Sequence, residues 1–456
     1  MCALITGPLT QAGMYELFTK VHDTLPVFKI CQGRHMVLYT PGSGIRTQDI
    51  PAAELRSLFM NPSGIQDSEI RVLVLNLLEN AEEVVRKWEA RESSPFNPEC
   101  LTIHVGSDCN MNCAYCYASI EKTGNGRLAG FPESEAIAAA ADFVTSKTVN
   151  RTGRLTVAYH GSGEPSFHWD RLTSACCQIE QIAAQREINL FSYMATNGCI
   201  DEWQIKWLAE HVDLIGISCD GPPDIQRTQR SQGKRKYPSV EMICKRLSDL
   251  GSRFDIRVTV TPDSMSRLPE ITGYLIENCM ARNIRIEPVY LAGNNSFREA
   301  YADLFYDYFI RSATIAAENG VGFGYSGVRT DELHSTYCDV LRNTVRLTVD
   351  GNSRNCFCLM DARSDFITGS YDKLKSSFRL RSDIDALKNH ASRIPSECNE
   401  CISLYHCSRG CPDFCLFEND YHGTPKLDPF RCRLHQLIAA GNAVATAKNH
   451  FTADNH

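Results

Sequence analysis

No apolar run in this chain approaches the roughly 20 residues that a membrane-spanning helix needs, so no membrane partner is expected. The first residues, MCALITGPLTQAGMYELF, lack the charged start and apolar core of a secretion signal, and a cytoplasmic location follows as the expectation. Positive charge is also in short supply. Lys and Arg number 47 against 54 Asp and Glu, a net charge of -7, which argues against a nucleic-acid partner held by a broad basic surface. What the chain has in excess is cysteine, 21 in 456 residues. In a short secreted chain such a count implies disulfides; in a long chain without a signal it points to metal or redox chemistry. The length suits two or three domains.

Three of the thiols sit together in Cys109-Asn110-Met111-Asn112-Cys113-Ala114-Tyr115-Cys116, at C-x3-C-x2-C spacing directly after the apolar run Leu101-Thr102-Ile103-His104-Val105. Thiolates are soft ligands for zinc or iron–sulfur clusters, and three on one loop can hold three corners of a four-iron cluster. The bland alternatives are buried thiols or a zinc loop short of one ligand. The stretch resembles the radical S-adenosylmethionine (SAM) superfamily, with Tyr115 matching the aromatic before the third cysteine. That resemblance implies a [4Fe-4S] cluster on Cys109, Cys113 and Cys116 whose open iron chelates SAM and delivers the electron that breaks it.

Downstream, β-rich runs at 101–106, 155–160, 190–195, 214–219, 256–261 and 284–290 alternate with helical patterns at 132–147, 169–184, 202–211, 239–250, 268–281 and 297–317. Such alternation predicts a parallel α/β sheet, and six units match the partial (β/α)6 barrel of the superfamily. Ligand groups then belong at the carboxyl ends of the strands. After the second strand, Gly161-Ser162-Gly163-Glu164-Pro165 resembles the GGEP motif that contacts the SAM amine, with Ser162 in place of a glycine. Thr196-Asn197-Gly198 is similar to the TNG element of the same branch, and Ser218-Cys219-Asp220-Gly221-Pro222 with Arg230 resembles its S-x-D-G-P…R segment. The resemblance implies that Tyr115, Ser162, Gly163, Glu164, Asn197, Ser218, Asp220, Arg230 and Glu287 line the SAM site, with Asp220 or Glu287 as alternatives facing the substrate.

A second cysteine territory follows. Cys338, Gly351 and Cys356 give C-x12-G-x4-C; Cys398, Cys401, Cys407 and Cys411 give C-x2-C-x5-C-x3-C; Cys432 comes after a gap. Closely spaced pairs alone also suit a zinc ribbon. The full pattern resembles the SPASM domain, which implies two auxiliary [4Fe-4S] clusters and so three in all. By that resemblance Cys398, Cys401, Cys407 and Cys432 hold the distal one. Cys338, Cys356 and Cys411 hold the nearer one, with Cys358 or Cys415 as a further ligand or one iron left open. The other cysteines are expected to be small buried hydrophobes.

The expected organisation is an N-terminal α+β module over 1–98, the barrel over 99–320, the SPASM domain over 321–435 and a tail helix over 436–456. The first module reads as a hairpin (27–31 and 35–40) with helices at 14–25, 52–60 and 67–91, either a packing extension or a leader-peptide module that adds a peptide to a sheet edge. The leading functional expectation is a maturase that oxidatively modifies a peptide or small protein by thioether or carbon–carbon cross-linking, supplied with electrons by a flavodoxin or ferredoxin. Formylglycine formation, as in anaerobic sulfatase maturases, is the alternative; those enzymes place an Asp base directly after the second cysteine of G-x4-C, where this chain has Phe357, leaving Asp361 and Asp413 as substitute bases. Oxidation of a small-molecule alcohol is a third reading. A non-catalytic cluster carrier or zinc-bound binding protein is the reading from another class.

Overall fold

The structure, a computed structural model, describes residues 14–22, 24–32, 35–47, 52–116, 131–146, 152–232, 237–290, 297–334, 343–354, 367–409 and 427–449. The chain begins with β1 (Met14–Val21), β2 (Leu25–Gln32), β3 (His35–Thr40) and β4 (Ser43–Thr47), an antiparallel meander, followed by α1 (Ala52–Met60) and α2 (Ser68–Ser93). The Asp67 carboxylate caps α2, accepting from the backbone N–H of Glu69 at 2.8 Å and of Ile70 at 3.1 Å. The expected hairpin and the second and third helices are present, but residues 14–21 form a strand where a helix was expected. A bulge between Leu17 and Thr19 explains the misreading. It swings Phe18 and Val21 onto the face packed by α1 and α2, while Tyr15 and Leu17 pack on the other core, so the period of two breaks into spacing that mimics a helix.

The barrel strands are β5 (Cys100–Ile103), with β6 (Met111–Cys113) after it and α3 (Ser134–Thr145) next, then β7 (Arg154–Tyr159), α4 (Trp169–Gln185), β8 (Asn189–Thr196), α5 (Glu202–His211) and β9 (Leu214–Ser218). They continue with α6 (Pro223–Gln229), β10 (Arg230–Gln232), α7 (Val240–Asp249), β11 (Phe254–Val260), α8 (Leu268–Cys279), β12 (Asn283–Pro288), α9 (Ala302–Glu318) and β13 (Gly322–Tyr325). All six expected strands lie parallel in the order β5-β7-β8-β9-β11-β12. The sheet is wider than the six units. β13 pairs parallel with β12, and β14 (Thr344–Leu347) pairs parallel with β5. Beyond β14 come β15 (Asn352–Arg354), β16 (Ile367–Asp372) and β17 (Ser377–Leu380), all antiparallel. One eleven-stranded sheet thus runs across position 320 without a break.

Alternate residues divide the two faces of the parallel strands. Leu155, Val157, Ile215, Ile217, Ile256, Val258, Ile284 and Ile286 face the helices and are almost fully buried, and their burial against α3 to α9 forms the main core. The opposite face lines the lumen and carries polar groups.

After α10 (Ile384–Ala391), the tail helix α11 spans Pro429–Thr446, starting earlier than the expected 436. Pro429 at its first position and an Asp428 cap accepting from Arg431 N at 3.2 Å make that early start favourable. The helix is buried along most of its length. Its end leads into β18 (Lys448–Asn449), which pairs parallel with β4 and so occupies one edge of the N-terminal sheet. That sheet is clamped to the rest by Phe28, Ile30, Val37 and Tyr39 in the main core and by Trp88 Nε1 donating to His334 O at 3.0 Å. No helix among the described residues is long and apolar enough to cross a membrane.

Candidate active site and cysteine sites

The loop carrying Cys109, Cys113 and Cys116 is held by a short ribbon. β6 pairs antiparallel with β10, setting Cys113 opposite Arg230 and Met111 opposite Gln232. The S-x-D-G-P…R segment is thereby stitched to the thiol loop. Asp220 is the knot. It is 0% exposed, and its Oδ2 accepts from Tyr115 Oη at 2.5 Å, Gln229 Nε2 at 2.9 Å and Arg230 Nε at 3.0 Å, while Oδ1 accepts from Thr259 N at 3.0 Å. A carboxylate with four donors has little acceptor capacity left. Asp220 therefore does not face a substrate; it fixes Tyr115, Arg230 and β11 to one another. Burial works against the Arg230 charge, yet Asp220, joined by Tyr115 and Cys113, outweighs it, so its pKa lies above the ordinary value. The guanidinium also lies over the Tyr115 ring, 5.4 Å from its centre. Burial pushes the Tyr115 phenol well above its ordinary pKa.

The turn after β7 presses on the same loop. A Cβ on Gly163 would overlap the Gly106 carbonyl oxygen and stand 2.6 Å from that of Asp108, so only glycine permits this approach. Glu164 N donates to Asp108 O at 2.9 Å. The Glu164 carboxylate is buried and accepts from Thr196 Oγ1 at 2.8 Å, Asn197 N at 2.7 Å, and both the N and Oγ of Ser166. Burial raises its pKa, opposed by those donors. Asn197 then reaches back, donating from Nδ2 to Asn110 Oδ1 at 2.7 Å and lying 3.6 Å from Cys109 Sγ. Ser162 Oγ turns inward to His104 Nε2 at 2.8 Å. Burial and then Arg354 lower the His104 pKa to about 4, which keeps the ring neutral near neutral pH.

The thiols meet at this junction. Met111 N points at Cys109 Sγ at 3.4 Å. Partial burial lifts the Cys109 pKa to about 11, and Glu164, Cys113 and Cys116 add to the rise. Burial also raises Cys113, against Arg230. Three thiols that feel one another's charge, with backbone and amide N–H groups aimed at sulfur, suit a ligand set whose negative charge a cluster would neutralise.

Ser218 ends β9, half-buried and level with Arg257 of β11. Glu287 lies in β12 next to Thr259. Its Oε2 is shielded and has no hydrogen-bond partner among the described residues. Burial raises its pKa to about 7, opposed by Arg431 and Arg257.

The distal set forms under α11. Cys407 is buried, and burial followed by the charges of Cys401, Cys432 and Cys398 raises its pKa far above the usual value. The Cys407 thiol thus feels the charge of the other three. The sulfurs have donors waiting: Arg409 N at 3.1 Å from Cys407, Gln436 Nε2 at 3.7 Å from Cys401, and His435 Nδ1 at 2.9 Å from Cys407. His435 is neutral, its pKa lowered to about 3 by burial and then by Arg431 and His334. Since a ligating thiolate only accepts, the tautomer that satisfies the site carries its proton on Nδ1, and Nε2 accepts from Tyr325 Oη at 2.8 Å. The donor chemistry of this set fits a cluster too. Among the described residues no three Cys, His, Asp or Glu side chains close into a ligand group by themselves.

Cys338, Cys356, Cys358, Cys411 and Cys415, and the base candidates Asp361 and Asp413, lie outside the described residues. Of the remaining cysteines, Cys176, Cys199, Cys219, Cys244 and Cys279 are buried as expected, Cys31 and Cys100 are half-buried, and Cys177 is exposed. The β6–β10 ribbon, Gln229, Asn110 and His435 escaped sequence reasoning. Only the last left a signal, one helical turn after Cys432.

No family model matches the chain. It is 23% identical over 339 residues to a cysteine-type anaerobic sulfatase-maturating enzyme of Clostridium perfringens (strain ATCC 13124), covering 67% of this chain and 86% of that protein. A second such enzyme, from Clostridium perfringens strain 13, is 25% identical over 178 residues, 38% of this chain and 47% of the relative. Among solved structures, anSMEcpe with bound AdoMet matches with a TM-score of 0.60 at 17% identity, over 77% of this chain and 94% of that one. The same fold appears in anSMEcpe with bound AdoMet and the Cp18Cys peptide, with a TM-score of 0.58 at 18% identity, over 76% of this chain and 99% of that one.

Proposed function

Taking the chain as the SPASM-type radical SAM enzyme that its cysteine spacing, its sheet and its relatives make it, we propose that it oxidatively modifies a residue of a peptide or small protein. The observation that carries this is the junction of the thiol loop with three strand-end turns through Asp220, Glu164 and Asn197. When bound there, a cluster and SAM together supply a hydrogen-abstracting radical. Everything else is the chain's own work. Gly163 lets the turn after β7 come close enough to present its backbone N–H groups, and Arg230, held charged by Asp220, offers a planar fork to a carboxylate. The neutral, buried His104 and the half-buried Tyr115 exclude water from the floor of the site without offering a mobile proton.

A protein-derived substrate is supported by the names of the relatives, which mature sulfatases, and by the peptide bound to a neighbour of the same fold. Cross-linking is favoured over formylglycine formation by Phe357, which stands where sulfatase maturases place their base. The second reading keeps its own support, since the relatives found are sulfatase maturases.

Accurate mass of candidate substrate peptides after anaerobic co-expression separates the two. Loss of two hydrogens with a cysteine that no longer alkylates establishes a thioether, whereas an aldehyde trapped by a hydrazine establishes formylglycine. An unmodified peptide alongside SAM cleavage would overturn both in favour of a small molecule. A control with Cys109, Cys113 and Cys116 all changed to Ala must show no product.

A further inference from the structure

The N-terminal sheet and helices grip the distal cysteine set at several points, more than a covering layer requires. Lys20 of β1 pairs with Glu400 at 3.0 Å, beside Cys401. Trp88 of α2 stands edge-on to Tyr405, ring centres 5.3 Å apart, in a cluster that Cys398 joins. Glu92, near the end of α2, pairs with Arg409 at 3.2 Å with both side chains largely buried, and the backbone N–H of the same Arg409 meets Cys407 Sγ. One further contact has a direction. Tyr15 Oη of β1 donates to Gln436 Oε1 at 2.5 Å, and Gln436 Nε2 lies 3.7 Å from Cys401 Sγ. Which way that amide faces is settled behind Tyr15. Arg433, one turn earlier on α11, is paired with Asp303 at 2.8 Å and hydrogen-bonds the Tyr15 hydroxyl. A guanidinium only donates, so the phenol oxygen accepts from it and the phenol proton goes to Gln436. Burial, with the charge of Cys401, raises the Tyr15 pKa to about 12, so that proton stays in place near neutral pH. The amide oxygen is thereby claimed, and the amide nitrogen is turned to the sulfur. The preceding residue of α11 repeats the pattern: His435 meets Cys407, with Tyr325 behind it and Arg431 behind Tyr325.

We propose that Tyr15 is a positioning residue of the distal site: through Gln436 it holds an N–H donor on Cys401, so that the N-terminal sheet helps set the reduction potential of a cluster held by Cys398, Cys401, Cys407 and Cys432. A donor to a ligating thiolate drains negative charge from the cluster and favours its reduced form. Consecutive residues of α11 thus place donors on two of the sulfurs, one backed by Tyr325 of the barrel sheet and the other by Tyr15 of the N-terminal sheet. The N-terminal module is in this sense part of the redox site. The inference needs a cluster on these thiols and no particular substrate, so it stands apart from the choice between thioether and formylglycine.

The test is redox titration of the anaerobically reconstituted full-length enzyme, with the distal cluster followed by electron paramagnetic resonance. Tyr15→Phe keeps the ring and removes the hydroxyl. The equilibrium constant for reducing the distal cluster is expected to fall about five-fold, read as a potential shifted negative. Gln436→Leu removes the donor itself and shifts the potential the same way by at least as much. The double variant should match Gln436→Leu alone, because Tyr15 acts through the amide; a role in packing would instead add its effect to both backgrounds. Iron content and melting temperature check that each protein is assembled. Should Tyr15→Phe fail that check, Gln436→Glu decides in its place. The Tyr15 proton then holds one carboxylate oxygen and turns the other to Cys401, so the potential must fall below that of Gln436→Leu, and one no lower overturns the inference. An unchanged potential in Tyr15→Phe, or a Tyr15→Phe shift that persists in full beside Gln436→Leu, overturns it while leaving the cluster reading intact. A wild type with no distal cluster signal overturns both.

Discussion

The two cysteine sites are built on opposite principles. The thiol loop at residues 109–116 borrows its rigidity from neighbours: a three-residue ribbon, a glycine-only approach and three buried polar side chains that reach in from separate strands. The distal set lies beside α11, which carries Cys432; Cys407 is buried with its sulfur met by a buried histidine, while Cys398, Cys401 and Cys432 are half-buried. A site that must admit SAM and substrate needs an open side, so its order has to come from behind. A site that only stores or passes electrons needs no such opening, and hydrogen bonds to sulfur then tune it.

The sharpest break between them is chemical. Replacing Cys109, Cys113 and Cys116 with Ala should remove all detectable SAM cleavage and one cluster's share of iron, while the spectroscopic signal of the auxiliary clusters stays. Iron analysis and 5′-deoxyadenosine assay check this; auxiliary signals lost together with the first cluster would mean that the two sites do not assemble independently.

Next in size is Asp220→Ala. It leaves the Arg230 charge buried without its anion, a change that costs roughly 3–5 kcal/mol in comparable settings, and it frees Tyr115 and Thr259 N at the same stroke. The melting temperature should fall and SAM bind more weakly. Unchanged SAM affinity would show that the loop's order comes from elsewhere.

How much of this was readable beforehand follows the same division. Cysteine spacing, the six strand–helix units and the glycine turns are local signals, and the described parts of each stand where the sequence put them. The ribbon of β6 and β10 is three residues a side, too short and too polar to show any period, and exists only because two distant segments meet. β13 and β14 are four residues each and count as strands only by pairing at the two ends of the parallel set. β1 was hidden by its bulge. Asp220 looked like a ligand because its motif ends a strand; only the fold reveals that four protein donors already claim it.

A smaller effect tests the seam between the two regions, where Glu287 of the barrel faces Arg431 of α11. Its pKa of about 7 in the folded protein lies above the ordinary glutamate value of 4.5. The folded state therefore holds a proton that the unfolded chain has released, and stability present below about pH 4.5 is lost as pH rises through 7. Glu287→Gln should remove that loss, stabilising the protein by roughly 2–3 kcal/mol above pH 7 with no gain near pH 4.5. Thermal melts of both proteins across this range check it; a Gln variant whose gain over the wild type is no larger at pH 8 than at pH 4.5 would mean that Arg431 already holds the carboxylate ionised.

The smallest expected effect lies within the distal site. Arg431 Nη1 donates to Tyr325 Oη at 3.1 Å, Tyr325 Oη donates to His435 Nε2, and His435 Nδ1 to Cys407 Sγ. Each link fixes the proton on the next, so the histidine arrives at the sulfur as a donor without carrying charge. A donor to a ligating thiolate drains negative charge from the cluster and favours its reduced form. His435→Phe keeps a ring of similar shape and removes that donor. The distal potential should then move negative, measured by redox titration under electron paramagnetic resonance, while SAM cleavage by the exposed loop is retained. Tyr325→Phe leaves the ring in place but releases Nε2, allowing the proton to shift away from the sulfur, and should move the potential the same way by less. Equal shifts from both variants, or a shift from neither, would show that the histidine packs against Cys407 without donating to it.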